Sequence, residues 1–351
     1  MTPRLGDSGK KFRIVYLQGG EYNEYDQVFL AVINQLMEAG WGGNIKLPSE
    51  ATKTTRSLYT YLSNHTEWSK YLEFPANGFY DNQWKEEERE KTMQAILKRN
   101  DIDMVFALGT WAGHDMKTMP SAFAVPTVVM DVTDTLQSKI VDTLEDSGRD
   151  NLTARVDPNR YYRQVSLFYD VIGFKKLGLA YEDTVEGRSY AAINDVERAA
   201  KGKGFEIVRV VHPGYVKSRD QAVAWLTQAV KDLSTKVDAF YITGQLALDE
   251  KSLPTIIEIL NGANIPTFSQ AGSIEVEKGA LLSIATSGFK FVAKYHVESI
   301  AKILNGAKPR DLPMLFEDPP KIALNLKTAI KIGFDPPVDI LAAADEIFAD
   351  K

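Results

Sequence analysis

Five acidic residues fall where short apolar runs end: Glu21, Asp131, Asp134, Glu182 and Asp183. A pair of carboxylates there can move protons or hold a cation. The same residues can instead cap helix N-termini, where a negative side chain suits the exposed N–H groups and the helix dipole. Asp134 and Asp183 each precede a plausible helix start, which favours capping for both. The four histidines, His65, His114, His212 and His296, show no HExxH or other ligand spacing, so no metal site is expected. His114 follows Gly109-Thr110 near an expected strand end, where it either touches a ligand or lies on a helix surface. The absence of cysteine excludes disulfides, thiolate ligands and cysteine nucleophiles, and leaves the compartment open. There is no GxSxG elbow and no GxxxxGK[ST] loop. Gln18-Gly19-Gly20 follows a strand but lacks the rest of GxGxxG. These residues compose no catalytic signature and imply no cofactor.

The elements that must position them recur along the chain. A short apolar run ends in a small or polar cluster, and an amphipathic stretch follows. Phe12–Leu17 runs into Gln18-Gly19-Gly20, Asp103–Leu108 into Gly109-Thr110, and Thr127–Met130 into Asp131–Asp134. Further on, Lys176–Tyr181 runs into Glu182-Asp183, Val237–Ile242 into Thr243-Gly244-Gln245, and Ile265–Phe268 into Ser269-Gln270. Strands that are apolar throughout, separated by helices, indicate an α/β fold with doubly wound parallel sheets. In such sheets ligands bind beyond the carboxyl ends of the strands.

The spacing predicts strands at 44–47, 206–211, 280–285 and 321–325, and helices over 25–39, 85–98, 111–119, 159–171, 189–201, 220–233, 247–261, 289–304, 326–332 and 338–348. Residues 48–82 interrupt this rhythm with Tyr59, Tyr61, Trp68, Tyr71, Phe74, Phe79 and Tyr80, and Trp84 follows just beyond. So long an insertion is either a binding loop or lid, or a small helical subdomain whose aromatics form a satellite core. Packing is the commoner role for such rings.

At 351 residues the chain suits two domains of about 150 residues each. Its 44% apolar and 25% charged composition is that of a globular protein. No apolar run approaches the ~18 residues that span a bilayer. A net charge of −6 argues against a nucleic-acid partner. The polar start, residues 1–11, carries no hydrophobic signal core. It reads either as cytoplasmic, or as a short tether left after a leader or lipid anchor was removed.

The residues resemble a known family. Gly109-Thr110, Val125-Pro126-Thr127 and Val132-Thr133-Asp134 stand in the order seen in substrate-binding proteins of ABC transporters, the group typified by tryptophan/tyrosine-binding lipoproteins. Residues 138–153, 265–268, 278–281, 303–306, 323–329 and 344–346 continue the likeness in order. Two departures stand out: the long aromatic 48–82 segment, and Tyr241–Gln245 in place of a Pro-Thr-Asp strand end.

The resemblance implies a type I periplasmic-binding fold, two α/β lobes joined by a hinge, with a ligand in the cleft. The first lobe would take 12–131 plus 288–317, and the second 135–285 plus 318–351. Crossings are expected near 131–135, 285–288 and 317–321. Ligand contacts are then expected from Gln18, Gly19, Glu21, Tyr22, Gly109, Thr110 and Trp111 in the first lobe. The second would add Tyr181, Glu182, Thr243, Gly244, Ser269 and Gln270, with Asp131 and Thr133 near the hinge. Tyr22, Trp111 and Tyr181 could wall an apolar pocket, or Tyr22 and Trp111 could be packing. The glycines could be turn formers only.

By this resemblance the chain is a non-enzymatic, periplasmic or otherwise extracytoplasmic solute-binding protein, a monomer with an optional lipid anchor. Its expected partners are a small amino-acid-like solute, with an aromatic one among the candidates, and an ABC permease of the inner membrane. The alternatives are a sensory module that passes closure to a receptor, and a cytoplasmic α/β enzyme.

Overall fold

A computed structural model describes residues 2–7, 9–214, 216, 218–285, 289–317 and 321–349. The chain divides into two compact units, Met1–Asp157 with Gly288–Glu317, and Pro158–Ser287 with Asp318–Lys351.

The first unit begins with β1 (Phe12–Gln18), α1 (Asn23–Glu38), α2 (Thr55–Asn64), β2 (Leu72–Glu73) and β3 (Phe79–Asp81). It continues with α3 (Glu86–Leu97), β4 (Met104–Leu108), α4 (Gly109–Thr118), β5 (Thr127–Met130) and β6 (Leu152–Ala154). Its parallel sheet runs β2-β1-β4-β5-β6, with β3 also on β1. Both faces of the sheet are covered, so the central strands are apolar at successive positions. Ile14 and Tyr16 face the cluster that holds Val28, Phe29 and Ile33 of α1. Val15 and Leu17 face the one that holds Ala112 and Met116 of α4.

The second unit contains α5 (Arg160–Ile172), β7 (Lys176–Glu182), α6 (Val185–Tyr190), α7 (Ile193–Lys203), β8 (Glu206–His212) and α8 (Arg219–Leu233). Then come β9 (Ala239–Ile242), α9 (Leu253–Gly262), β10 (Thr267–Ser269), α10 (Ser273–Glu277) and β11 (Leu282–Ala285). The chain returns to the first unit for α11 (Lys290–Leu304), which packs beside α1. It ends in the second with β12 (Lys321–Asn325), α12 (Leu326–Lys331), α13 (Val338–Ala343) and β13 (Ala344–Phe348). The second sheet runs β13-β12-β11-β10-β9-β7-β8 and is parallel except where β12 meets β11. Tyr241 and Ala239 face one core, and Phe240 and Ile242 the other.

Several expectations need correction. Residues 44–47 form no strand, because that edge of β1 is taken first by Leu72–Glu73 and then by Phe79–Asp81. The 48–82 segment is thus partly sheet, broken where Pro75 offers no N–H. Its rings Tyr59, Trp68 and Phe74 join the main core of the first unit rather than a satellite. The first unit runs past residue 131 to Asp157, because β6 pairs with β5 and Ile140 and Val141 are buried in the core. The expected crossings at 285–288 and 317–321 fall largely outside the described residues.

The helix expected over 189–201 is two helices, interrupted at Ala192 with φ +50°. The helix expected from 247 starts at Leu253, with Pro254 in its first turn. The final helix stops at Ala343, and the rest pairs with the free edge of β12.

Candidate functional site

In the first unit the parallel strands bring their carboxyl ends to one edge. Gln18 closes β1 and is fully buried. Its Oε1 accepts from the Tyr16 and Thr55 hydroxyls, each at 2.9 Å. Its Nε2 has no hydrogen-bond partner among the described residues. Gly19 and Gly20 follow, and each is glycine because an indole lies on it. A Cβ on Gly19 would stand 2.9 Å from both Trp84 Cζ3 and Trp111 Cβ, and one on Gly20 would overlap Cδ1 and Nε1 of Trp84. The Trp84 backbone N–H donates to Gly19 O at 2.7 Å, and its indole N–H to Glu21 O at 3.1 Å.

Tyr22 meets Tyr25 edge-on at 5.1 Å, and Trp84 meets Trp111 edge-on at 5.5 Å. Gly109 opens α4 with φ +85°, and its Cα lies against the Tyr25 hydroxyl. Burial, with the Asp131 charge next in weight, holds the Tyr25 hydroxyl well above the usual tyrosine range. Gln18, Gly19, Tyr22, Gly109 and Trp111 therefore belong to one neighbourhood, with Asp131 within electrostatic reach.

Thr110 and Trp111 are nearly fully buried, at 2% and 5% exposure. The guanidinium of Arg89 lies 4.5 Å over the Trp111 ring and donates to Asp115 Oδ1 at 2.7 and 2.9 Å. Asp131 stands at φ +53°, a backbone conformation that costs a non-glycine residue about 1 kcal/mol or more and concentrates at functional sites. Glu21 is exposed and Thr133 half-buried. Asp134 accepts from the N–H groups of Leu136 and Gln137 at 3.0 and 2.9 Å, as capping expects, although turns rather than an α-helix follow. Asp26, in the first turn of α1, accepts from Thr55 N–H at 2.6 Å. Burial pushes its carboxyl up to about 6; the Thr55 bond opposes that rise and Glu21 adds to it.

In the second unit the expected polar residues brace one another. Gln270 Oε1 accepts from Gly244 N–H at 2.9 Å, and its Nε2 donates to Tyr190 O at 2.7 Å. The Thr243 hydroxyl accepts from Gln245 and faces Ala180 O at 3.3 Å. Ser269 donates to Glu275 Oε2 at 2.7 Å and accepts from the N–H groups of Ala271 and Gly272. Tyr241 donates to Gln164, which in turn donates to Gln270 O at 3.4 Å. Burial raises the Glu182 carboxyl above its ordinary value, while Val216 N–H and His212 oppose the rise. Tyr181 lies in the core among Leu179, Ile193 and Val196. Asp183 does not cap α6. Thr184 does, accepting from Gly187 N–H, while Asp183 pairs with Arg188 at the surface.

Trp84, Tyr25, Asp26 and the Arg89–Asp115 pair are parts of the first-unit site that the strand-end reasoning passed over. The signal for Trp84 was the Gly19-Gly20 pair, since adjacent glycines imply something large lying close to the backbone. Among the described residues no helix is long and apolar enough to cross a membrane.

No curated protein matches the sequence. Among solved structures, an ABC domain from Streptococcus pneumonia in complex with L-Trp is similar, at 20% identity and a TM-score of 0.71 over 95% of this chain and all of that one. A conserved domain protein from Vibrio cholerae gives 19% identity and a TM-score of 0.72 over 96% of this chain and all of that one. The ligand-free, open structure of a substrate binding protein with adhesive properties from Clostridium difficile gives 19% and 0.62 over 97% of this chain and all of that one. At these identities the three likenesses show the periplasmic-binding-protein fold and nothing finer. The family described as ABC transporter substrate binding protein matches residues 76–348, more than half of the sequence. The chain therefore belongs to that family, whose members bind a solute for a transporter and are not enzymes.

Proposed function

We propose that the chain captures a small amino-acid-like solute with an aromatic side chain, outside the cytoplasm, and presents it to an ABC permease. The observation that carries this reading is the charge asymmetry at the strand edge of the first unit. The first turn of α4 has no acidic residue, so its N–H groups suit a carboxylate. The first turn of α1 carries Glu24 and Asp26, with Glu21 just before it, and suits an ammonium group. Contact of Tyr25 with Gly109 sets these two helix starts side by side. Tyr22, Tyr25, Trp84 and Trp111 supply ring surface between them.

A zwitterion with a flat side chain fits that set. The L-Trp complex of the streptococcal protein offers a precedent in the same fold.

The test is thermal melting against a panel of amino acids, sugars and organic acids. A rise in Tm of several degrees with aromatic amino acids is expected. A rise with sugars or organic acids, and none with any amino acid, refutes the reading.

A further inference from the structure

We propose that Trp84 is the residue that selects a planar side chain in the ligand, with the ring stacking on the indole face turned away from Gly19 and Gly20. This rests on the amino-acid reading above and adds the residue that decides among amino acids.

Four observations carry it. The two ends of the indole lie over two successive glycines, so the ring spans the Gly19-Gly20 peptide at the carboxyl end of β1. Bonds to Gly19 O and Glu21 O hold it there. Gln83 and Trp84 are consecutive non-glycine residues in the left-handed region, at φ +52° and +56°. Such a pair persists only where the surroundings over-determine it, and strain of this kind gathers at functional positions. The turn is anchored from below by Asn82, which is fully buried, donates to Gln18 O at 3.1 Å, and reaches Asp115 Oδ2 at 3.2 Å.

Trp111 and Tyr25 are less accessible than Trp84. Trp111 is 5% exposed, with Arg89 over its face and Trp84 at its side. Tyr25 is 4% exposed and wedged against Gly109. Trp84 is half-buried, and one of its faces is already seated on backbone. The part of the ring that stays exposed is held in place by the bonds to Gly19 O and Glu21 O, beside the two helix starts whose charges suit a zwitterion. Offset stacking on the indole favours a ring over an aliphatic side chain of equal area.

The experiment is isothermal titration of the full chain with L-tryptophan, L-phenylalanine and L-leucine, using wild type, Trp84→Leu, Trp84→Phe and Gly20→Ala. The readout is the ratio of aromatic to leucine affinity within each variant, which is insensitive to a uniform loss of folded protein. In Trp84→Leu that ratio should fall about tenfold, and Trp84→Phe should restore part of it. Gly20→Ala displaces the unaltered indole and should lower the ratio in the same direction. Wild type that prefers aromatic ligands, with an unchanged ratio in Trp84→Leu, overturns the role of Trp84 and leaves the amino-acid reading standing. Wild type that binds leucine at least as tightly as both aromatic ligands overturns the inference, and wild type that binds none of the three overturns both.

Discussion

Replacing Gly109 with alanine tests the packing that joins the two helix starts. Gly109 stands at φ +85°, where an alanine costs about 1 kcal/mol relative to glycine. A Cβ there would also overlap the hydroxyl and Cζ of Tyr25 and come within 3.0 Å of its Cε1. The ring has little room to retreat. It is 4% exposed, edge-on to Tyr22 at 5.1 Å, and 6.5 Å from Trp84. Forced overpacking of this kind costs roughly 1–3 kcal/mol, so the substitution should destabilise the first unit by about 2–4 kcal/mol.

Four of the five tryptophans, Trp41, Trp68, Trp84 and Trp111, belong to that unit. Urea unfolding followed by tryptophan fluorescence therefore reads mainly its transition, without treating the two units as a single cooperative system. Tyr25→Phe removes the nearest overlapping atom and leaves the ring carbon behind it. The double variant should then recover about 1 kcal/mol relative to the sum of the single changes. A Gly109→Ala protein within 0.5 kcal/mol of wild type, or strictly additive variants, refutes the argument.

Three further predictions rest on buried charges. Asp26→Asn keeps an oxygen for Thr55 N–H and removes a carboxyl whose folded value is lifted from 3.8 to about 6. A raised folded value means that stability falls as pH rises through this interval, so the variant should gain at pH 8 and not at pH 4. The full shift would be worth about 3 kcal/mol, and solvent screening of this half-buried group reduces it to about 1–2 kcal/mol. Equal gains at both pH values in urea melts would count against it.

His296 is buried with no hydrogen-bond partner for either ring nitrogen among the described residues, and burial, with the Arg155 charge second, lowers its imidazole to about 3. A depressed histidine loses stability as pH falls below the unfolded value near 6.5, so it should account for about 2 kcal/mol lost between pH 7.5 and pH 5. His296→Met should abolish that part of the acid sensitivity, and an unchanged pH slope would disprove the assignment. Arg89→Met strands Asp115, which is 2% exposed, and should cost about 3–5 kcal/mol. Adding Asp115→Asn should restore about half, and a double variant as unstable as the single one would contradict the charge argument.

The repeating strand–helix pattern was legible because parallel strands covered on both faces must be apolar at successive positions. Residues 104–108 and 127–130 needed no alternation to be read. The misread elements are those whose state is decided by a distant partner. Residues 44–47 have strand-like composition, but Leu72–Glu73 and Phe79–Asp81 hold the edge they would need. Residues 344–348 continue a helical pattern, yet the free edge of β12 captures them as a strand. The first crossing was placed too early for a related reason. The polar stretch after Thr135 conceals Ile140, Val141 and β6, and only the pairing of β6 with β5 shows which unit owns them.

The candidate site divides along the same physical line. Position at a strand end is a backbone property, and in the structure Gln18, Gly19, Tyr22, Gly109 and Trp111 share one neighbourhood. Whether a side chain there is available to a ligand depends on its bonds, which sequence position does not reveal. In the second unit Thr243, Ser269 and Gln270 all stand at strand ends, yet their polar atoms tie the loops at 243–245 and 269–272 to each other and to Tyr190. Such residues fix the loop backbone. Substituting Gln270 with leucine would release Gly244 N–H and Tyr190 O together, so it should weaken every ligand to a similar degree. Trp84 is the converse case. It lies just past the aromatic insertion, beyond the end of β3, a strand that the apolar pattern did not reveal, but two glycines far earlier in the chain are shaped around it. A change there should alter which ligand is preferred, and that contrast between uniform and selective loss separates the two kinds of residue by experiment.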